Sequence, residues 1–240
     1  MNAAKVITTS WDDGHEADFR LAELLHKYNL KATFYIPKTN TEKAVMSAQQ
    51  VRRLSTDFEI GGHTLNHVRL HNANVNTINE EISGSYQWLG DVTGKAPVSF
   101  CFPGGKYTRD AVTVAYAAGY KVLRTTELLN ENYAPFPALM ATTLQLYPHS
   151  RTTYVKHLVK RRKWNSLAKW MKAAATADLV KLTEFYLQEI DLHGGCFHLW
   201  GHSWEIEENN LWQKLEEICK IISARPGFSY LENKEMRNTR

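Results

Sequence analysis

Short apolar runs alternate with stretches of helical period along the whole chain, and this alternation constrains the fold more than any other feature. Runs at Val6–Ser10, Thr33–Ile36, Phe58–Gly61, Val98–Phe102, Tyr120–Arg124, Leu139–Tyr147, Cys196–Gly201 and Phe228–Tyr230 read as strands. Between them, Ala17–Tyr28, Ser47–Leu54, Asn76–Thr93, Thr108–Ala118, Thr153–Arg161, Leu167–Ala174, Asp178–Ile190 and Leu211–Ser223 read as helices. Strands separated by helices cannot be hairpins, so the expected class is α/β, a parallel sheet with outer helices. No linker rich in Pro, Gly or Ser divides the series, so one domain is expected over 1–240, with a core of about 5–231. Seven or eight β/α units in 240 residues fit a closed barrel better than an open sheet. In such barrels chemistry collects at the carboxyl ends of the strands, where reactive side chains should cluster.

Composition narrows the class. A hydrophobic content of 43% excludes a mainly disordered chain. The three cysteines, Cys101, Cys196 and Cys219, cannot all pair and lack metal-site spacing, so buried thiols are expected. Nothing approaches the roughly 18 apolar residues of a membrane span. Met1–Lys5 runs into the first strand with no apolar signal core, which reads as cytoplasmic. Asn233–Arg240 reads as a polar, frayed end. The net charge of +4 is unevenly spread: Arg151, Lys156, Lys160, Arg161, Arg162, Lys163, Lys169 and Lys172 fall in a stretch with no acidic residue.

The first strand ends in Trp11-Asp12-Asp13-Gly14. Adjacent carboxylates at a strand end point in different directions, so one can bind a metal while the other acts as base; a lone Asp-Asp-Gly would more often cap the next helix. The third ends in His63-Thr64-Leu65-Asn66-His67. Histidines four apart share one face of a helical turn and can hold one ion. Pro103-Gly104-Gly105 follows the fourth strand, a turn with bare backbone N–H groups suited to an oxyanion. In the late strand, Cys196, His198, Trp200 and His202 share a face; His202 lies at the carboxyl end and His198 deeper, and either can serve as general acid. Trp11, Trp200 and Trp204 neighbour these residues and could stack on a planar or ring-shaped ligand, whereas Trp88, Trp164, Trp170 and Trp212 fit helical core patterns.

This ensemble resembles the polysaccharide deacetylases of carbohydrate esterase family four, over about Lys5 to Leu231. The family's Thr-Phe-Asp-Asp-Gly motif is similar to Thr9-Ser10-Trp11-Asp12-Asp13-Gly14, and its His-Ser/Thr-x-x-His motif to His63–His67. Leu30–Ile36 resembles the family's strand after the first helix. The resemblance implies a distorted (β/α) barrel of seven or eight parallel strands that removes N- or O-acetyl groups from saccharides with a divalent metal, zinc being the expected ion. It further implies Asp12 as general base, Asp13, His63 and His67 as metal ligands, a backbone N–H near Gly104 for the oxyanion, and a late histidine as general acid. His202 is preferred there, since His202-Ser203-Trp204-Glu205 is similar to the His-Pro-Trp-Glu of some members, with His198 second. The chief departure is Cys101, which stands where the family's Arg-x-Pro-x-Gly motif has the arginine that orients the base. Arg124, ending the next strand, is the expected substitute. No acidic partner for the late histidine is assigned.

The expected function is therefore metal-dependent deacetylation of a saccharide, with the oligomeric state unassigned. The alternatives are a metal-dependent amidase acting on a non-sugar C–N bond, a saccharide-binding homologue that has lost catalysis through Cys101, and a nucleic-acid or anionic-membrane binder using Arg151–Lys172. Pro148–Arg151 should face the site, while Lys160–Lys163 reads as a solvated helix end. If that block borders the cleft, it favours an anionic saccharide, bearing phosphate or uronate, over nucleic acid.

Overall fold

Period-two alternation in the first strand, β1 (Lys5–Asp12), sorts its side chains into two environments. Ile7 and Trp11 join the apolar core beneath the helices, while Thr8, Ser10 and Asp12 are buried in polar contacts with Asn233, His198 and Arg124. The barrel therefore keeps a wet chemical interior and a dry outer layer. The computed structural model describes residues 4–131 and 139–238.

Among the described residues, eight strands form one parallel path: β1, β2 (Ala32–Ile36), β3 (Glu59–Gly62), β4 (Ser99–Cys101), β5 (Val122–Arg124), β6 (Leu139–Met140), β7 (Leu144–Gln145) and β8 (Gly195–His202). Their order is β6-β5-β4-β3-β2-β1-β8-β7, and β9 (Ser229–Tyr230) pairs with the start of β1. The run expected as one strand over Leu139–Tyr147 is two short strands on opposite edges of the sheet. Thr142 and Thr143 send their N–H groups to Glu127 and His198 carbonyls, so this segment crosses the seam and draws the edges together into a distorted barrel.

The helices are α1 (Asp18–Lys27), α2 (Ala48–Leu54), α3 (Val75–Thr93), α4 (Arg109–Ala118), α5 (Arg151–Lys160), α6 (Trp164–Lys172), α7 (Leu179–His193), α8 (Ser203–Glu208) and α9 (Trp212–Ile222). Side-chain caps at Ser47, Asn74, Thr108, Ser150 and Asp178 start five of them, each worth about 1 kcal/mol. The cap of α1 is Ala17, with no side-chain bond, so neither Asp12 nor Asp13 is spent on capping it. All three cysteines are free and buried.

Two expectations about burial fail. Residues 239–240 of the expected frayed end lie outside the described residues, but its start is docked: Asn233 is fully buried, bonding Thr8 Oγ1 at 2.9 Å and Tyr35 Oη at 2.8 Å, and Lys234 N–H donates to Glu59 at 2.8 Å. Polarity did not mean fraying there because the barrel interior is itself polar. Trp164, expected in the core, is 59% exposed, whereas Trp170 on the same helix is 2% exposed. Trp88 and Trp212 pack partly buried against the core.

Candidate functional site

The parallel register delivers the chemistry to one place. Asp12 pairs with His202 across β1–β8, and Cys101 pairs with Arg124 across β4–β5. β3 ends at Gly62, where a Cβ would lie 2.1 Å from Tyr120 Oη, so only glycine lets the strand run this close before His63. These ends open into a cavity of about 440 Å³ lined by Asp12, Asp13, His63, His67, Gly104 and His202, with Trp200 and Trp204 beside them.

Asp13, His63 and His67 place one ligand atom each within 4.8 Å of one another. His67 Nε2 and His63 Nε2 stand 3.1 and 3.5 Å from Asp13 Oδ1, which is buried and accepts no hydrogen bond. His63 Nδ1 donates to the Cys101 carbonyl at 2.8 Å, so in the neutral ring the Nε2 lone pair faces that carboxylate oxygen. Two acceptors aimed at one point with no donor between them are what a cation resolves, and an N,N,O donor set suits zinc or a similar ion. The residues therefore fit a divalent metal. Trp204 Nε1 donates to Asp13 Oδ2 at 2.9 Å.

The two histidines do not lie on a helical turn, as their spacing suggests. They sit on a loop, brought together by left-handed backbone at Thr64 (φ 60°) and His67 (φ 57°), with Asp13 (φ 79°) opposite them. Such strain persists where surroundings over-determine it. Here Glu81 of α3 does so, its carboxylate accepting from Asn66 N and Asn66 Nδ2, both at 2.8 Å, and its carbonyl from Leu65 N at 2.9 Å.

Asp12 is held differently. Arg124 Nη2 donates to Oδ1, and Cys101 Sγ lies 3.7 Å from Oδ2. Arg124 is completely buried, its guanidinium 4.7 Å from the Trp200 ring and 5.1 Å from that of Tyr35. Burial opposes its charge, yet Asp12 pushes its pKa above the ordinary arginine value. The arginine thus comes from β5, one strand over from the thiol and in register with it.

The late histidines occupy unlike places. His198 is buried, with Nδ1 donating to the Ala141 carbonyl (3.2 Å) and Nε2 accepting from Ser10 (2.8 Å). Burial, then the Arg124 charge, keeps it neutral. His202 lines the cavity, with Nε2 3.9 Å from Asp13 Oδ2 and Nδ1 bonded to Glu205 Oε2 at 2.7 Å. Burial would lower its pKa, but Glu205, Asp13 and Asp12 raise it to about 9. Glu205, three residues on in α8, was readable in principle as an i,i+3 partner once that helix is known. Gly104 reaches the cavity with φ +65°, a left-handed position where its bare backbone is exposed to ligand. Trp11 is not at the cavity; it lies in the core and donates to Thr9.

The basic segment meets the cavity partly as expected, through His149 of the Pro148–Arg151 stretch, but through Arg161 instead of Arg151. His149, Thr153, His157 and Arg161 line it at four-residue spacing, while Arg151 points to solvent. His149 Nε2 bonds Gln145 Oε1 at 2.9 Å, and Gln145 Nε2 donates to Glu205 at 3.3 Å, tying this wall to His202.

A parallel barrel with an acidic, histidine-rich centre at its carboxyl edge defines the class. A profile of the polysaccharide deacetylase family matches residues 2–123, just over half of the sequence, and the chain belongs to that family. It is 30% identical over 125 residues to a peptidoglycan-N-acetylglucosamine deacetylase of Bacillus cereus, covering 51% of this chain and 57% of that one, so the chain spans little more than half the length of this curated relative. A family 4 acetyl xylan esterase from Clostridium thermocellum, solved with a cobalt ion, superposes with a TM-score of 0.58 at 17% identity over 97% of this chain and 90% of its own. A family 4 pseudoenzyme from Bacillus anthracis gives 0.58 at 12% identity over 98% and 66%. The two structural likenesses establish the fold alone. Asp12, Asp13, His63, His67, Cys101 and Gly104 lie inside the matched region; Arg124 and His202 lie beyond it.

Proposed function

We propose that the chain is a metal-dependent hydrolase that removes an acetyl group from an N- or O-acetylated saccharide. The observation that carries this is the Asp13–His63–His67 donor set beside a second buried carboxylate, Asp12, held by its own arginine. Asp13, His63 and His67 would hold the divalent ion, zinc by its donor set. Such an ion supplies a Lewis acid that polarises an acyl carbonyl and acidifies water.

The remaining steps belong to the chain. Asp12 takes the proton of the attacking water, and Arg124 keeps that carboxylate oriented. The Gly104 N–H meets the charge that develops on the acyl oxygen. His202, protonated because of Glu205, gives its Nε2 proton to the departing amine or alcohol, while the Glu205 contact at Nδ1 fixes the ring orientation. His198, bonded at both nitrogens, supports Ser10 and takes no proton-transfer role. Trp204, partly exposed on the cavity wall, offers its ring to the sugar, whereas Trp200 is buried beside Arg124.

The alternative of a catalytically weakened homologue rests on Cys101; the Arg124–Asp12 contact supports the catalytic reading by giving Asp12 an arginine from another strand. Arg161 favours an anionic saccharide: it lines the cavity and makes no ion pair among the described residues, whereas the other cavity cation, Arg69, meets Glu42 at 3.2 Å. The test is acetate release by zinc-loaded protein from acetylated neutral sugars, acetylated phosphate- or uronate-bearing sugars and non-sugar acetamides. Release from the sugars alone supports the proposal, and turnover of the acetamides alone makes the chain an amidase of another kind. Arg161→Met should raise KM for the charged sugars only.

A further inference from the structure

We infer that the α5–α6 hairpin is a docking surface for an anionic lipid bilayer. Seven large apolar side chains are exposed among the described residues, and four of them fall on this one hairpin: Val155 (39%), Val159 (43%), Trp164 (59%) and Met171 (59%). They are not scattered. Val155 and Val159 are one turn apart on α5, and Trp164 and Met171 two turns apart on α6, so each pair stands on one face. The buried faces are separate ones, carried by Tyr154, Leu158 and Trp170.

The hairpin's own charged side chains are all of one sign. Residues 151–172 contain no acidic residue. Lys163 and Lys169 are satisfied from outside the hairpin, by Glu127 at 2.7 Å and by Glu131 and Glu189. Lys156, Lys160, Arg162 and Lys172 are exposed and form no ion pair among the described residues. Exposed Trp, Met and Val flanked by unneutralised Lys and Arg match the headgroup boundary of an anionic membrane, where apolar side chains enter and cations remain among phosphates. A second copy of the chain fits poorly, since a two-fold contact would set this cationic face against itself. Nucleic acid would use the cations and leave the aliphatic groups in water.

Thr153 and His157 line the cavity from the side of α5 opposite Val155 and Val159, so docking by the exposed face leaves the cavity uncovered. The inference makes no assumption about the reaction.

The test is co-sedimentation of the full chain with vesicles of phosphatidylcholine alone or mixed with phosphatidylglycerol. The expected result is partition into the anionic vesicles at least tenfold stronger than into neutral ones, weakened by high salt as the screening length shortens. Two double variants at exposed positions, Trp164→Ser with Met171→Ser and Lys156→Glu with Lys160→Glu, should each weaken partition at least tenfold while thermal melting is unchanged. A cation near such a surface contributes roughly fivefold. The inference is overturned by equal affinity for both vesicles, by partition that survives either double variant, by binding to duplex DNA without binding to vesicles, or by self-association that Trp164→Ser with Met171→Ser abolishes. Whether the protein releases acetate changes none of these outcomes.

Discussion

Glu205→Gln isolates the electrostatic setting of the proposed general acid. The substitution keeps the side chain's shape and an oxygen for His202 Nδ1, and removes one charge. His202 has its pKa raised from 6.5 to about 9 against the opposing effect of burial, a difference worth roughly 3 kcal/mol between protonated and neutral forms. Because the folded value lies above the unfolded one, the associated stability is fully present below pH 6.5 and is lost as pH rises through about 9. Glu205 supplies both a charge-assisted hydrogen bond and a Coulombic attraction, with Asp13 and Asp12 supplying the rest. About half of the effect should therefore vanish in the variant, on the order of 1–2 kcal/mol. Urea denaturation of metal-free protein should show that loss at pH 6, shrinking toward zero above pH 10. Imidazole NMR should show the His202 midpoint falling by about one unit or more, and the alkaline limb of kcat should move the same way. Equal destabilisation at pH 6 and pH 10, or a wild-type midpoint near 6.5, would refute the reasoning.

Further outcomes follow from the same geometry. Arg124→Met strands the buried Asp12 carboxylate without its cation and should cost about 3–5 kcal/mol in urea denaturation, with turnover lost as well; unchanged stability and turnover would mean that Arg124 does not support the base. Zinc at a hundred times its Kd should stabilise the wild type by about 2.7 kcal/mol in thermal melts, and His63→Ala should abolish the gain. Asn233→Ala leaves Thr8 Oγ1 and Tyr35 Oη without their buried partner and should cost about 2–4 kcal/mol, whereas a truly frayed terminus would show no change.

Strand and helix alternation was legible because each element is long relative to its period, and Asp12, Asp13, His63 and His202 fall at strand ends that this pattern locates. Failures came where tertiary contacts decide. The His63–His67 spacing suits a helix, but left-handed residues and Glu81 shape the loop instead. Leu139–Tyr147 has the composition of one strand, yet the barrel seam splits it. Trp164 follows a helical pattern whose other side is the buried one, a phase that sequence alone does not supply. Glu205 was hidden because α8 is only six residues long and carries no distinct periodic signal. Asn233 was hidden because its partners lie more than 190 residues away.

The most direct test compares wild type with Asp12→Asn, measuring zinc content and acetate release from an N-acetylated saccharide on the same samples. Asp13, His63 and His67 are intact in the variant. The account predicts that both proteins hold zinc in equal amount and that only the wild type releases acetate. Zinc lost together with activity in Asp12→Asn, or acetate released at the wild-type rate, would contradict the separation of base from metal ligands on which the proposed mechanism stands.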